Sequence, residues 1–100
     1  MYTTKSYHGI DSGRRFDLGR ILITRSARAV LSDDEIRFAL IRHRSGDWGE
    51  VNDQDALRNE TALHNGDHLM SVFVSKRHIR FYLITEADRT LTTILLPHES

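Results

Sequence analysis

The sequence predicts an α+β fold, an antiparallel sheet of three to four strands with two main helices packed on it. Two observations lead to this prediction. The middle of the chain holds helical patterns with start and stop signals, and the last third holds three runs of strand-forming residues separated by short polar turns. At 100 residues, the chain has the length of one domain. We therefore expect a single domain over residues 1–100, with residues 1–14 as a loose N-terminal arm.

Capping signals predict the two helices. Ser32-Asp33-Asp34-Glu35 fits the capping box, in which a serine hydroxyl and a glutamate side chain satisfy free N–H groups at a helix start. This helix is expected over about 33–44, with Gly46 as its stop. A second helix is expected from Asn52 or Asp53 to a stop at Gly66, lying on one face of the sheet.

Runs rich in β-formers predict the strands. The C-terminal meander is expected to contain Leu69 to Val74, Ile79 to Thr85 and Leu91 to Leu96, joined by turns too short for parallel pairing. Phe16 to Thr24 is expected to add a fourth strand, with Gly19 as a bulge or a point of close approach. A short helical turn is expected at about 26–31. Both faces of the meander carry apolar side chains, so either helices cover both or one face contacts another chain.

Composition excludes several classes of protein. The 14 Lys and Arg residues balance the 14 Asp and Glu residues, and the chain contains no Cys. Zero net charge disfavours a dedicated nucleic-acid binder, and the lack of Cys removes disulfides, thiolate nucleophiles and Cys-type zinc sites. No apolar run reaches the roughly 18 to 20 residues of a membrane-spanning helix, and the polar start is unlike a secretory signal. We expect a cytoplasmic protein without a cofactor, a metal or a membrane contact.

Two segments combine residue types that carry chemistry. Residues 43–50 place His43, Asp47 and the only Trp, Trp48, around two glycines. Either Trp48 is an exposed anchor and His43 and Asp47 handle a proton, or the segment is a helix end with Trp48 closing the core edge. Residues 83–90 place two acids and an arginine at a hairpin tip, which turn chemistry alone also explains. His64 and His68 are four residues apart, but Gly66 between them disfavours a helical metal site.

Several strings of the sequence resemble a known group of proteins. They are Phe16-x-Leu18-Gly19-Arg20-Ile21, Gly46-Asp47-Trp48-Gly49, Asn59 with Leu63 and Gly66, Ile84-Thr85-Glu86-Ala87-Asp88-Arg89, and Thr92-Thr93-x-Leu95-Leu96-Pro97. In this order they resemble a family of small uncharacterised proteins of bacterial plasmids and other mobile elements. The similarity covers roughly residues 16–98. The chain departs from it at Thr24-Arg25-Ser26, where members often have Thr-Pro-Gly, and at its C-terminal residues. The resemblance implies a mobile-element setting and no established activity.

The first functional hypothesis is a non-enzymatic protein-binding accessory protein, an inhibitor of a host defence complex in the manner of anti-CRISPR or anti-restriction proteins. Its partner would be a host or mobile-element protein, or a second copy in a homodimer. Tryptophan and arginine are enriched at binding hot spots. The predicted partner-contacting residues are Trp48, Asp47, Arg44, Arg20, Arg25, Glu86, Asp88 and Arg89.

Two alternatives stay open. A small metal-independent ribonuclease needs a base, a cation and hydroxyl donors. The candidates are His43 or His78, Arg80 or Arg89, and Thr92 or Thr93. A DNA-binding regulator would use the basic stretch formed by Arg14, Arg15, Arg20, Arg25 and Arg28.

Overall fold

Three helices and four strands form the chain in the computed structural model, which describes residues 13–100. In chain order they are β1 (Arg20–Ile23), α1 (Arg25–Val30), α2 (Asp33–Arg44), α3 (Asp53–Asn65), β2 (Leu69–Val74), β3 (Arg80–Thr85) and β4 (Leu91–Leu95), followed by a 3₁₀ turn at Pro97–Glu99. The α+β fold is confirmed. The predicted arm at residues 1–14 lies outside the described residues except for residues 13 and 14. No helix in the described range is long and apolar enough to cross a membrane.

Local side-chain caps set the helix boundaries. Ser32 Oγ accepts a hydrogen bond from Glu35 N at 3.1 Å, and Glu35 Oε1 accepts one from Ser32 N at 2.9 Å, so the capping box is confirmed. α3 begins after Asn52, whose side chain accepts from the backbone N–H of Asp55, and ends at Gly66 with φ of 71°. α2 and α3 match the two predicted helices, and α1 lies one residue earlier than the predicted turn at 26–31.

The sheet is mixed, with strand order β1-β4-β3-β2. The antiparallel β2–β3 and β3–β4 hairpins of the meander are confirmed. The prediction of an antiparallel sheet is wrong at its fourth strand, because β1 runs parallel to β4, with Arg20 opposite Leu91 and Ile23 opposite Ile94. Three helices and two strands separate β1 from β4, and a connection of this length allows parallel pairing.

β1 has only four residues, Arg20–Ile23, although a strand over 16–24 was expected. Phe16 and Leu18, which precede it, are buried in the core. Gly19 then takes a φ of 67°, and a Cβ on it would lie 2.2 Å from the carbonyl carbon of Thr90. The predicted close approach at Gly19 is therefore confirmed. The positive φ ends the extended conformation, so the strand begins one residue later.

All three helices cover the same face of the sheet, here called the helix face. Its strand residues are Ile21, Ile23, Leu69, Ser71, Phe73, Phe81, Leu83, Thr85, Thr92 and Ile94. Apolar members of this set join Ala27, Ile36, Leu40 and Ala62 of the helices in one core cluster. Burying a large aliphatic side chain contributes about 1.5–3 kcal/mol, so this face provides most of the stability.

The opposite face, here called the open face, carries a different set of strand residues. They are Arg20, Leu22, Met70, Val72, Val74, Arg80, Tyr82, Ile84, Leu91, Thr93 and Leu95. Val72 and Leu95 are buried but do not belong to the core cluster. Within residues 13–100, no helix of more than three residues packs on this face. The sequence leaves two arrangements open, helices on both faces of the sheet or one face in contact with another chain. The described helices cover only one face.

We expect Gly19→Ala to destabilise the protein more than Gly66→Ala does. Both glycines have a positive φ, which costs about 1–2 kcal/mol for an L-residue, but a Cβ at Gly66 meets nothing within 4 Å. The clash with Thr90 should add about 1–3 kcal/mol for Gly19→Ala. Urea denaturation of both variants measures the difference. Equal losses would contradict the close approach between Gly19 and Thr90.

Candidate functional site

The sheet register gathers hydroxyl side chains beneath the end of α2. Thr85 of β3 lies directly opposite Thr92 of β4, and Ser71 of β2 lies on the same face. His43, in the last turn of α2, points onto this group. All four side chains are fully buried, with 0% exposure. Buried polar groups are tolerated when they are hydrogen-bonded, and these form one connected chain.

The hydrogen-bonded chain starts at Ser71 and ends at a backbone carbonyl. Ser71 Oγ lies 2.5 Å from His43 Nδ1, and His43 Nε2 lies 2.8 Å from Thr85 Oγ1. Thr85 Oγ1 lies 2.7 Å from Thr92 Oγ1, which donates to the carbonyl oxygen of Leu18 at 2.7 Å. We call these four side chains the His43 chain. It joins α2, three strands and the segment that precedes β1.

The direction of every hydrogen bond in the His43 chain follows from the last bond, in which Thr92 donates to a backbone carbonyl. A hydroxyl has one proton, and Thr92 gives its proton to the carbonyl of Leu18, so Thr85 must donate to Thr92. The proton of Thr85 is then used, so His43 must donate to it from Nε2. Nδ1 is left as an acceptor, and Ser71 donates to it. The chain therefore fixes a neutral imidazole with its proton on Nε2.

Burial keeps this imidazole neutral. Desolvation, and to a smaller extent the positive charge of Arg89, lowers the pKa of His43 from 6.5 to about 3. The ring is enclosed by aromatic side chains, with Phe16 edge-on at 5.1 Å and Trp48 edge-on at 5.8 Å between ring centres. Because neither His43 nor its hydroxyl partners reach solvent, the arrangement can hold the helix on the sheet but cannot receive a substrate.

The structure therefore divides the residues of the ribonuclease hypothesis. It brings His43 and Thr92 into one network, but both are fully buried. His78 is exposed in the β2–β3 turn, and Arg80 and Thr93 lie on the open face, away from the His43 chain. The proposed proton pair of His43 and Asp47 is wrong, because His43 points inward.

Trp48 is not an exposed anchor, and that prediction is wrong. Its side chain is 6% exposed and stacks on Phe16, with 6.0 Å between ring centres and 18° between planes. Its Nε1 donates to Glu60 of α3 at 3.0 Å. The other interpretation, an aromatic side chain that closes the core edge after a helix end, is confirmed.

The neighbours of Trp48 also serve the fold. Asp47 is exposed at the surface, but its carboxylate accepts from Arg42 Nε at 2.7 Å and from the N–H of Gly49 at 3.1 Å. These hydrogen bonds lower the pKa of Asp47, the one from Arg42 most. Arg44 is 3% exposed, so its side chain is not available at the surface. Neither Trp48 nor Arg44 can therefore contact a partner as predicted without a rearrangement.

The three predicted contact residues at the β3–β4 turn, Glu86, Asp88 and Arg89, have different roles in the structure. Arg89, with φ of 62°, donates to the carbonyl oxygens of Ala62, Asp67 and Glu86 at 3.0, 2.5 and 3.1 Å. It thereby satisfies the C-terminal end of α3 and ties it to the β3–β4 turn. Asp88 is exposed and accepts from the backbone and hydroxyl of Thr90, and the Glu86 side chain is exposed.

The predicted basic stretch does not form one surface. Arg15 makes two hydrogen bonds to Glu60 of α3, and α3 packs on β2 at one side of the sheet. Arg20, the first residue of β1, and Arg25, the first residue of α1, are exposed near the other edge of the sheet. Arg28 lies 3.9 Å from Asp33, with both side chains largely exposed, which makes a weak ion pair. Arg20 and Arg25 thus remain surface candidates, together with Glu86 and Asp88.

Sequence reasoning missed three structural residues that complete this region. Ser71 and Thr85 occupy helix-face positions, and strict alternation along β2 and β3 places them there. Polar residues at inward positions, with a histidine in the facing helix, are the signal that predicts such a network. Asn59 of α3 is the third, because its side-chain amide pairs with both backbone groups of Met70 at 2.8 and 3.1 Å.

No protein-family model, curated protein or solved structure matches the chain. Among residues 13–100, no group of three or more His, Asp or Glu side chains is placed to hold a metal ion. His64 and His68 are both exposed, and His68 lies 3.3 Å from Asp67. The resemblance to mobile-element proteins therefore stays a prediction.

We expect Thr85→Val to cost about 1–3 kcal/mol of stability, because it leaves His43 Nε2–H without an acceptor and Thr92 without a donor. Thr93→Val is the matched control, since Thr93 lies on the open face of the adjacent strand and takes no part in the His43 chain. Its change should stay within about 0.5 kcal/mol. Urea denaturation measures both. A loss for Thr85→Val no larger than the control would contradict the network.

Stability should fall by about 2 kcal/mol between pH 7 and pH 5 on account of His43. The unfolded chain binds a proton there near pH 6.5, whereas the folded chain binds it only near pH 3. The unfolded state therefore gains protons first as the pH falls, and the contribution is complete only above pH 6.5. Carboxylates with a lowered pKa, such as Glu60, affect stability mainly below about pH 4.5, so they contribute little to the change between pH 7 and pH 5.

His43→Gln is the control for this pH dependence. Its amide can accept from Ser71 and donate to Thr85 but does not titrate. Urea denaturation at pH 7 and pH 5 should show a loss that is about 2 kcal/mol smaller in the variant, whatever its absolute stability. Equal losses in the two proteins would mean that His43 takes up its proton over the same pH range in the folded and the unfolded chain.

Proposed function

We propose that this chain is a non-enzymatic protein-binding accessory protein of a mobile genetic element. In this proposal it works in the cytoplasm and inhibits a host defence complex, in the manner of anti-CRISPR or anti-restriction proteins. The observation that supports binding is the open face. The mobile-element setting rests on the resemblance of the Gly46-Asp47-Trp48-Gly49 and Ile84-to-Arg89 strings.

The open face combines apolar character with access. Leu22 and Val74, at opposite edges of the sheet, are 53% and 42% exposed. Between them lie half-buried Met70, Tyr82 and Ile84. Val72 and Leu95, on either side of Tyr82, are buried, so the accessible apolar residues lie mainly at the two edges. Exposed apolar side chains that share one face of a small protein support a contact surface there. Tyrosine at its centre is one of the residues enriched in binding hot spots.

Contact explains this surface better than catalysis does. His43, the histidine that belongs to a hydrogen-bonded network, is fully buried and does not reach the open face. The exposed charged residues on the open face are Arg80 and Arg20. Arg20 lies on β1 opposite Leu91, Arg80 lies on β3 opposite Val74, and no histidine lies between them on this face. An apolar surface with cations at its margin suits a second protein surface more than a reacting phosphate.

We expect Val74→Asp to weaken partner binding at least about tenfold, because it removes an apolar contact and places a carboxylate beside Arg80 in the interface, where desolvation of the charges is costly. Leu57→Asp is the matched control, since Leu57 is 66% exposed on α3, on the other side of the molecule. Tagged full-length protein and both variants are used to capture partners from host lysate, and the retained proteins are quantified by mass spectrometry.

A defence-complex subunit that the wild type and Leu57→Asp retain, and Val74→Asp loses, is the expected result. Equal retention by all three proteins would exclude the open face as the contact. Light scattering of the purified chain gives its mass. A mass of two copies, reduced to one by Val74→Asp, would make the open face a homodimer interface and would contradict the proposal of a host partner.

A further inference from the structure

The two edges of the sheet differ in how their backbone groups are used. At β2, the outward N–H and C=O of Met70 pair with the Asn59 side chain. Those of Val72 pair with the carbonyl of Trp48 at 3.0 Å and the N–H of Glu50 at 2.7 Å. The edge at β2 is therefore closed by the chain itself. Folded proteins commonly protect their sheet edges in this way.

The edge at β1 is open within the described part of the chain. Arg20 N–H donates to Thr90 and Thr24 N–H donates to Ile94, both at 3.0 Å. In a parallel ladder, alternate residues direct both backbone groups to the same neighbour, so Leu22 faces β4 as well. Ile21 and Ile23 then direct their N–H and C=O groups outward. No described strand pairs with them.

A basic groove accompanies this open edge. It has a volume of about 590 Å³ and is lined by Ile21, Leu22, Ile23, Arg25 and Arg28. Within residues 13–100, Arg20 and Arg25 make no ion pair, and Arg28 makes only the loose contact with Asp33. Glu99, the carboxylate that approaches the end of β1, is held by the Thr24 hydroxyl and the Leu96 N–H.

We propose that the β1 edge binds an extended acidic segment of a partner protein, which adds to the sheet as a fifth strand beside β1. The outward N–H and C=O groups of Ile21 and Ile23 pair with its backbone, and Arg25 and Arg28 pair with its carboxylates. Strand addition of this kind takes affinity from main-chain hydrogen bonds and specificity from alternate side chains. The inference rests on the proposed protein-binding function and names the chemistry of the partner.

The charges and the hydrogen-bonding pattern of the β1 edge disfavour two other occupants, a second copy of this chain and a nucleic acid. Two copies joined through β1 in antiparallel fashion would bring Arg20 of one copy near Arg25 of the other, and like charges at close range oppose this pairing. A nucleic-acid phosphate accepts hydrogen bonds but donates none, so the outward carbonyls of Ile21 and Ile23 would face acceptors. An extended peptide supplies donors and acceptors in alternation, which matches the edge.

A labelled peptide tests the proposal directly. The probe is a capped ten-residue peptide of alternating Glu and Val, and fluorescence anisotropy measures its binding to the full-length chain. We expect binding that weakens as salt is added. The same peptide with Lys in place of Glu should not bind. The Glu peptide with N-methyl groups on alternate residues, which removes the N–H groups that pair with β1, should bind at least tenfold more weakly.

Variants and amide exchange locate the site. The double variant Arg25→Glu and Arg28→Glu should weaken binding at least tenfold, whereas Arg58→Glu, on the exposed surface of α3, should leave it unchanged. Circular dichroism checks that the variants fold. Hydrogen exchange measured by NMR should show new protection of the Ile21 and Ile23 amides when the peptide binds. This protection distinguishes strand addition from attraction by charge alone.

Several results would overturn the inference, and three of them come from the peptide, exchange and DNA measurements. They are equal binding of the N-methylated peptide, no new protection of the two amides, and tighter binding of a DNA duplex to the same arginines. Protection of these amides without peptide, in a chain of doubled mass, would make β1 a homodimer contact instead. If Val74→Asp abolishes partner capture while no acidic peptide binds, the inference fails and the proposed protein-binding function stands.

Discussion

The hydrogen bond from His43 Nε2 to Thr85 Oγ1 joins the last turn of α2 to the centre of the sheet. The bonds linked to it all run from donor to acceptor in one direction, from Ser71 to the carbonyl of Leu18. One network thereby connects a helix, three strands and the segment before β1. A shift of β2 or β3 by two residues would replace Ser71 or Thr85 by an apolar residue and leave His43 without one of its hydrogen-bond partners. The network therefore fixes the register that places the remaining apolar side chains of the helix face.

Local signals predicted most of the elements, and non-local ones account for the differences. Ser32, Asn52 and Gly66 set the helix ends through contacts within a few residues, so the sequence alone identified them. The meander followed from alternation and short turns. The direction and length of β1 depend on its pairing with β4 and on the positive φ of Gly19, and neither is visible in a short window of sequence.

The candidate residues show the same division. An aromatic residue between two glycines fits both a surface anchor and a core edge, and only the packing of Phe16 and Glu60 against Trp48 decides between them. Arg89 carries a charge typical of a surface contact, but its guanidinium donates to three backbone carbonyls. Exposed residues such as Arg25 keep their predicted availability because no described residue engages them.

The pairing of β1 with β4 also determines the order in which the molecule can assemble. β1 is synthesised before the three helices and the other strands described here, but its neighbour in the sheet is β4, which follows all of them. Until Leu91 to Leu95 have left the exit tunnel, Arg20 to Ile23 have no strand to join, whereas the β2–β3 hairpin is local and can form at once. Closure of the sheet by β1 is thus a late step, which follows the synthesis of β4.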